Sequence, residues 1–201
     1  MSAAIFGVVL VLVAVRWAPL AAVDQVVLDQ VNGATAGLPM LITVALTASF
    51  IGGPVSVDVL TAVAAIGVYV SRRDLRLAVT LVLVRAVELG IETVVKVLVD
   101  RPRPTTAVAL TTAQGAAFPS GHAAGTVAFC ATLVIVGRLV WPRVPWVIVG
   151  VLLGLGAAAV AASRIMLGVH YLSDVVAGGA LGLFCGVAIA GILLPGLVRY
   201  R

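Results

Sequence analysis

Long apolar runs, broken at short joints rich in proline, glycine or polar residues, make up most of the chain. Residues 3–15 form the first run, closed by Arg16 and Trp17. No basic residue precedes it, so it reads as a membrane span; a cleaved leader ending near Leu20-Ala21-Ala22 is the alternative. Residues 24–37 mix Asp24, Asp29, Gln30 and Asn32 with Val26, Val27, Leu28 and Val31, the pattern of a helix lying at the membrane interface. Residues 38–51 are apolar apart from Thr43, Thr47 and Ser49, and Gly52-Gly53-Pro54 then interrupts them, with Pro54 suited to open a new helix. A second span is expected over residues 54–70, alone or extended backwards by the preceding helix. Further spans follow over 75–99, 121–137, 146–162 and 172–194. The pattern predicts an all-α integral membrane protein, a six transmembrane helix bundle. Residues 1–201 would form a single membrane domain whose motif-bearing core is about 75–194.

Composition agrees with that reading. The 201 residues are 62% hydrophobic and 10% charged, with a mean hydropathy of +1.22, far more apolar than a soluble domain. The net charge of +5 does not point to nucleic acid, because the basic residues are scattered among apolar runs and form no stripe. Cys130 and Cys185 lie far apart within apolar runs, which gives no support to a zinc site or a disulfide framework. Arg72, Arg73, Arg76, Arg138, Arg143, Arg199 and Arg201 fall on one face by the six-span count, which places that face and both termini in the cytoplasm of a plasma-membrane protein. Arg16, Lys96, Arg101, Arg103 and Arg164 fall on the outer face. Four of those five lie beside the two histidines of the chain.

Three segments carry the candidate chemistry. Lys96 ends the third span and leads to Arg101-Pro102-Arg103-Pro104, where the prolines stop the helix and hold both arginines near the membrane surface. Pro119-Ser120-Gly121-His122 opens the fourth span, whose free backbone N–H groups would suit a phosphate. Ser163-Arg164, His170 and Asp174 lie between the fifth and sixth. If a helix begins near His170, Asp174 shares its face at i+4, accepts one ring N–H and leaves the other nitrogen as a nucleophile toward phosphorus. His122 would then exchange protons with the leaving oxygen and with water, while Lys96, Arg103 and Arg164 neutralise the non-bridging oxygens.

These three segments, with their spacings, resemble the signature of the type 2 phosphatidic acid phosphatase family. The resemblance implies a six-helix bundle with its site at the outer membrane face, working without metal or other cofactor. It implies that His170 forms a phosphohistidine supported by Asp174, that His122 is general acid and base, and that Lys96, Arg103 and Arg164 bind phosphate with Ser120 and the Gly121 backbone. Vanadium haloperoxidases share the cage, but they are soluble and this chain is not of that composition.

Other charges remain open at this level. Arg101 is a second phosphate ligand, a headgroup contact or a partner of Asp100. Arg85, Glu88, Glu92 and Lys96 share a helix face, either as a neutralising ladder or with Glu92 orienting Lys96 in support of the site. Asp58 is left without an assigned partner. With only eight acidic residues and no cluster of them, metal-assisted hydrolysis has little to build on. The compact, short-looped chain has a prokaryotic look, and the expected substrate is a polyprenyl diphosphate of the undecaprenyl type, with phosphatidylglycerophosphate or phosphatidic acid as alternatives. Two other classes, a phosphate-handling transporter and a non-catalytic membrane scaffold, would show no phosphate release.

Overall fold

Proline sits in the first turn of three of the helices, where its missing N–H breaks no helical hydrogen bond. The structure, a computed structural model, describes residues 1–106 and 110–195. Eight helices are found among them: α1 (Ser2–Ala14), α2 (Ala18–Ala36), α3 (Pro39–Ile51), α4 (Pro54–Arg72), α5 (Leu75–Val99), α6 (Gly121–Val140), α7 (Trp146–Met166) and α8 (Leu172–Leu193). The protein is an all-helical, multi-pass membrane protein.

Where six spans are expected, the described residues form these eight helices. Four of them, α4, α6, α7 and α8, are long and apolar enough to cross a bilayer, and a fifth crossing results if α1 and α2 are one span bent by 99°. The bend falls at Arg16, which adopts a left-handed backbone with φ 53°. The 25-residue α5 has the length, but it carries Arg76, Arg85, Glu88, Glu92 and Lys96. At 13 residues α3 extends about 20 Å, short of the hydrocarbon core, and it ends at Gly52 instead of running into α4. Of the basic residues expected on one face, Arg199 and Arg201 lie outside the described residues. The Arg72 guanidinium donates to the Val140 carbonyl, which ties the α4–α5 turn to the end of α6 and gathers Arg72, Arg73, Arg138 and Arg143 on one face.

Helices α6 and α8 approach backbone to backbone. A Cβ on Gly178 would lie 2.4 Å from the Ser120 carbonyl oxygen, and one on Gly182 would lie 2.2 Å from that of Ala124. Close approach lets the Ser120 N–H donate to the Asp174 carbonyl at 3.0 Å, which brings the start of α6 beside the start of α8. An apolar cluster containing Val68, Leu81, Val136 and Leu194 closes the far end of the bundle, and another containing Leu28, Ala123, Ile165 and Val175 lies beneath the site. Gly182→Ala is expected to destabilise the protein by about 1–3 kcal/mol through overpacking. Thermal inactivation in detergent should show this beside Gly154→Ala, whose added methyl meets nothing within 4 Å and should be tolerated.

Candidate active site

Four elements converge at the end of the bundle where α5 and α7 finish and α6 and α8 begin. Here a cavity of about 570 Å³ is lined by Lys96, Arg103, Arg164, His122, His170 and Glu92, with the Gly121 backbone, the α3–α4 turn and residues 111–114 completing its wall. Lys96 projects from the last turn of α5 and pairs with Glu92 at 2.8 Å. Gly121 sits close beside them: a Cβ there would lie 2.2 Å from Glu92 Oε1 and would displace that carboxylate.

His170 precedes α8 rather than starting it. The helix begins at Leu172, and Asp174 reaches back as a cap, with Oδ2 accepting the Tyr171 N–H at 2.9 Å. The same oxygen lies 3.4 Å from His170 Nδ1, brought there by capping geometry and not by a helical i, i+4 face, and Nδ1 makes no hydrogen bond among the described residues. On the other side of the ring, Arg103 Nη1 lies 3.2 Å from His170 Nε2. A guanidinium can only donate, so Nε2 is the acceptor and Nδ1 holds the ring hydrogen, facing Asp174. Burial pushes the imidazole below the ordinary histidine value of 6.5, with Asp174 opposing the shift and Arg103 and Arg164 adding to it. The ring is therefore neutral, with a lone pair on Nε2.

The cations divide into two groups. Arg103 donates to three carbonyls, those of Gly115 at 2.9 Å, Gln114 at 2.8 Å and Val169 at 2.9 Å. Arg164 donates to the Ser49 hydroxyl, and its Nε has no hydrogen-bond partner among the described residues. Neither cation meets a carboxylate among those residues, and both line the cavity. The buried Ser120 hydroxyl also lacks a partner among them, beside the N-terminal turn of α6.

Arg101 belongs to the second group and points away from the cavity. Its Nη1 donates to Asp174 Oδ1 at 2.5 Å and its Nη2 to Asp24 Oδ2 at 2.8 Å, while its guanidinium stacks over Tyr171 with 4.3 Å to the ring centroid. Against the lowering effect of burial, Asp174 and Asp24 raise the Arg101 guanidinium above its ordinary value. Its partners are these carboxylates and not Asp100. The ladder on α5 pairs as its spacing suggests, Arg85 with Glu88 at 2.6 Å and Glu92 with Lys96, and Asp58 on α4 meets Arg85 at 2.7 Å. Two contributors escaped the sequence reading: Asp24, a lone acid in what reads as an interfacial helix, and Ser49, an ordinary hydroxyl in an apolar run. No group of three or more His, Cys, Asp or Glu side chains that could hold a metal occurs among the described residues.

The PAP2 superfamily model matches residues 75–194. Over 106 residues the chain is 37% identical to decaprenylphosphoryl-5-phosphoribose phosphatase of Mycobacterium tuberculosis, a match covering 51% of this chain and 54% of that protein. The chain thus spans about half the length of the curated relatives it matches. In fold it is similar to a transmembrane PAP2 type phosphatidylglycerolphosphate phosphatase from Bacillus subtilis, with a TM-score of 0.86 and 22% identity over 100% of this chain and 98% of that one. It is also similar to LpxE from Aquifex aeolicus, with a TM-score of 0.64 and 22% identity over 83% and 93% of the two chains. The matched stretch takes in more than half of the sequence and both histidines, and the chain belongs to the PAP2 superfamily.

Proposed function

We propose that this protein is a lipid phosphate phosphatase that works through a phosphohistidine on His170 and needs no metal ion. The carrying observation is a buried imidazole lining a cavity in which Arg103 and Arg164 meet no carboxylate among the described residues. Nε2 of His170 gives its lone pair to phosphorus, the P–O bond to the lipid breaks, and the leaving oxygen takes a proton from His122. His122 then removes a proton from water, which attacks phosphorus, breaks the N–P bond and releases phosphate. Lys96, Arg103, Arg164, Ser120 and the Gly121 N–H hold the non-bridging oxygens, and Asp174 stabilises the positive ring. Glu92 keeps Lys96 in place.

The whole chain forms one membrane domain with six passes, in which the bent α1–α2 pair and α5 join the four apolar spans. The Arg72, Arg73, Arg138 and Arg143 face is then cytoplasmic with the termini, and the site is on the outer face of the plasma membrane. A lipid tail leaves the cavity beside Phe50 and Val55, both of which line it and are 77% exposed to the surroundings. The substrate is a phosphate carried on a polyprenyl chain, with the undecaprenyl-type diphosphate first. A second reading, a polyprenyl-linked sugar monophosphate, is favoured by the substrate for which the mycobacterial relative is named and by Thr111, Thr112 and Gln114 in the cavity wall, which offer polar groups to a headgroup larger than phosphate.

Phosphate release by purified protein in detergent tests the reading. The panel is undecaprenyl diphosphate, decaprenylphosphoryl-5-phosphoribose phosphate, phosphatidylglycerophosphate and phosphatidic acid. A polyprenyl member should lead, and a chelator should leave the rate unchanged. His170→Ala should lower kcat by about 10⁴-fold or more, and His122→Ala by about 10²–10⁴-fold. Full activity in His170→Ala would sink the nucleophile assignment, whereas ion flux without phosphate release would favour a transporter.

The depressed His170 value sets a pH expectation. Protonation removes the attacking lone pair, and in this protein it occurs only below the ordinary histidine value. With substrate ionisation divided out, kcat/KM should stay flat as pH falls through 6.5 and drop only below it. An acid limb centred above 6.5 would contradict this environment for the ring.

A further inference from the structure

One buried carboxylate has no part in the chemistry just described. Asp24 lies on α2, outside the stretch that the family model matches, and is 1% exposed. Its Oδ1 accepts the Ser173 N–H at 2.9 Å, and its Oδ2 accepts the Ser173 hydroxyl at 2.5 Å and Arg101 Nη2 at 2.8 Å. The same guanidinium donates through Nη1 to Ser173 Oγ at 2.7 Å and to Asp174 Oδ1 at 2.5 Å. A hydrogen-bonded path therefore runs from Asp24 through Arg101 to Asp174, whose Oδ2 lies 3.4 Å from His170 Nδ1 without a hydrogen bond between them.

Its physical effect follows from sharing one cation between two carboxylates. Were Arg101 to face Asp174 alone, its whole charge would offset that carboxylate and withdraw the negative potential from the imidazole. With Asp24 taking part of the interaction, the trio keeps a net negative charge beside Nδ1. Asp24 also grips both the N–H and the hydroxyl of Ser173, fixing the first turn of α8 from which Asp174 projects.

We propose that Asp24 is a positioning residue for the nucleophile. Acting through Arg101 and Ser173, it holds Asp174 against His170 and keeps that carboxylate able to support the positive charge the ring gains as Nε2 bonds to phosphorus and the P–O bond to the lipid breaks. This rests on the reading of His170 as nucleophile. The other groups facing the ring are Arg103 from the loop after α5, Arg164 from α7 and His122 from α6, and none of them touches Asp24.

The test compares the pH dependence of kcat/KM for Asp24→Asn and Arg101→Gln, using whichever of the four panel lipids the unmodified protein hydrolyses fastest. Asp24→Asn removes a negative charge, so it should move the acid limb to lower pH and reduce kcat by about 10- to 100-fold with KM little changed. Arg101→Gln removes a positive charge and should move the limb to higher pH. Asp24→Glu should recover part of the lost kcat, and Asp29→Asn on the exposed side of α2 should behave as the unmodified protein. A merely structural role would not shift the two limbs in opposite directions. Limbs that move together or stay in place, or an unchanged kcat in Asp24→Asn, would overturn the proposal.

If either single variant fails to fold, Asp24→Asn/Arg101→Gln removes both charges and leaves neither unpaired. Its net effect is loss of the cation nearer Asp174, so its limb should move upward with a reduced kcat; unchanged values overturn the proposal. His170→Ala is assayed in parallel. Activity surviving there defeats the underlying nucleophile reading, whereas an inactive His170→Ala with an unaffected Asp24→Asn defeats the Asp24 link alone.

Discussion

An ionised side chain at membrane depth persists only where an opposite charge, a set of dipoles or water compensates it. The interior of this protein is arranged around that constraint. Arg85 lies between Asp58 and Glu88, Lys96 meets Glu92, and Arg101 bridges Asp24 and Asp174. Arg103 and Arg164 depart from the pattern, held by carbonyls and a hydroxyl that position a guanidinium without neutralising it. Their charge is left open to the cavity, and under the proposed function the substrate phosphate complements it.

The same constraint inverts the usual amphipathic helix. On α2 the buried face is Asp24, Leu28, Asn32 and Thr35, whereas Val23 and Val26 are more than half exposed. On α5 the buried face includes Arg85, Glu88 and Glu92, while Val97 and Leu98 turn outward. In water such exposure would be unfavourable, but hydrocarbon accepts valine and leucine and drives the polar groups inward. Periodicity reads well in the sequence for the long helices, because an apolar run of spanning length admits few other structures. Before Pro54 it reads the breaks around Gly37 and Gly52 that separate α2, α3 and α4, but not that Asp24 and Asn32 of α2 turn inward while Asp29 stays exposed.

The site was legible where its residues are local in sequence. Lys96 with Arg103, Ser120 with His122, and Arg164 with His170 and Asp174 each lie on one short segment, with proline and helix ends fixing their direction. Asp24 and Ser173 are 149 positions apart, and Ser49 and Arg164 are 115 apart. No local spacing records such pairs. They exist because Asn32 of α2 donates to the Met166 carbonyl at 3.0 Å and because α3 packs along α7, placing both helices over the α7–α8 turn. Arg101 illustrates the same limit from another side: its neighbour Asp100 suggested a partner, but the chain turns at Asp100, with φ 40°, and carries the guanidinium across to α8.

Rigid and adaptable parts of the cavity are separated. The two histidines are registered by backbone, since the Ser120 N–H donates to the Asp174 carbonyl and the glycine contacts between α6 and α8 leave no room for a shift. A fixed separation suits a reaction in which one ring attacks phosphorus and the other serves the oxygen leaving it. The opposite wall is loop: Thr111, Thr112 and Gln114 line it with side chains that take no part in holding the histidines. Exchanges among those loop residues can alter which headgroup is accommodated while leaving the distance between the two rings intact. Under the proposed function, the helix starts that carry the histidines and the loop side chains that meet the headgroup are different elements of one cavity, joined through the loop carbonyls that hold Arg103.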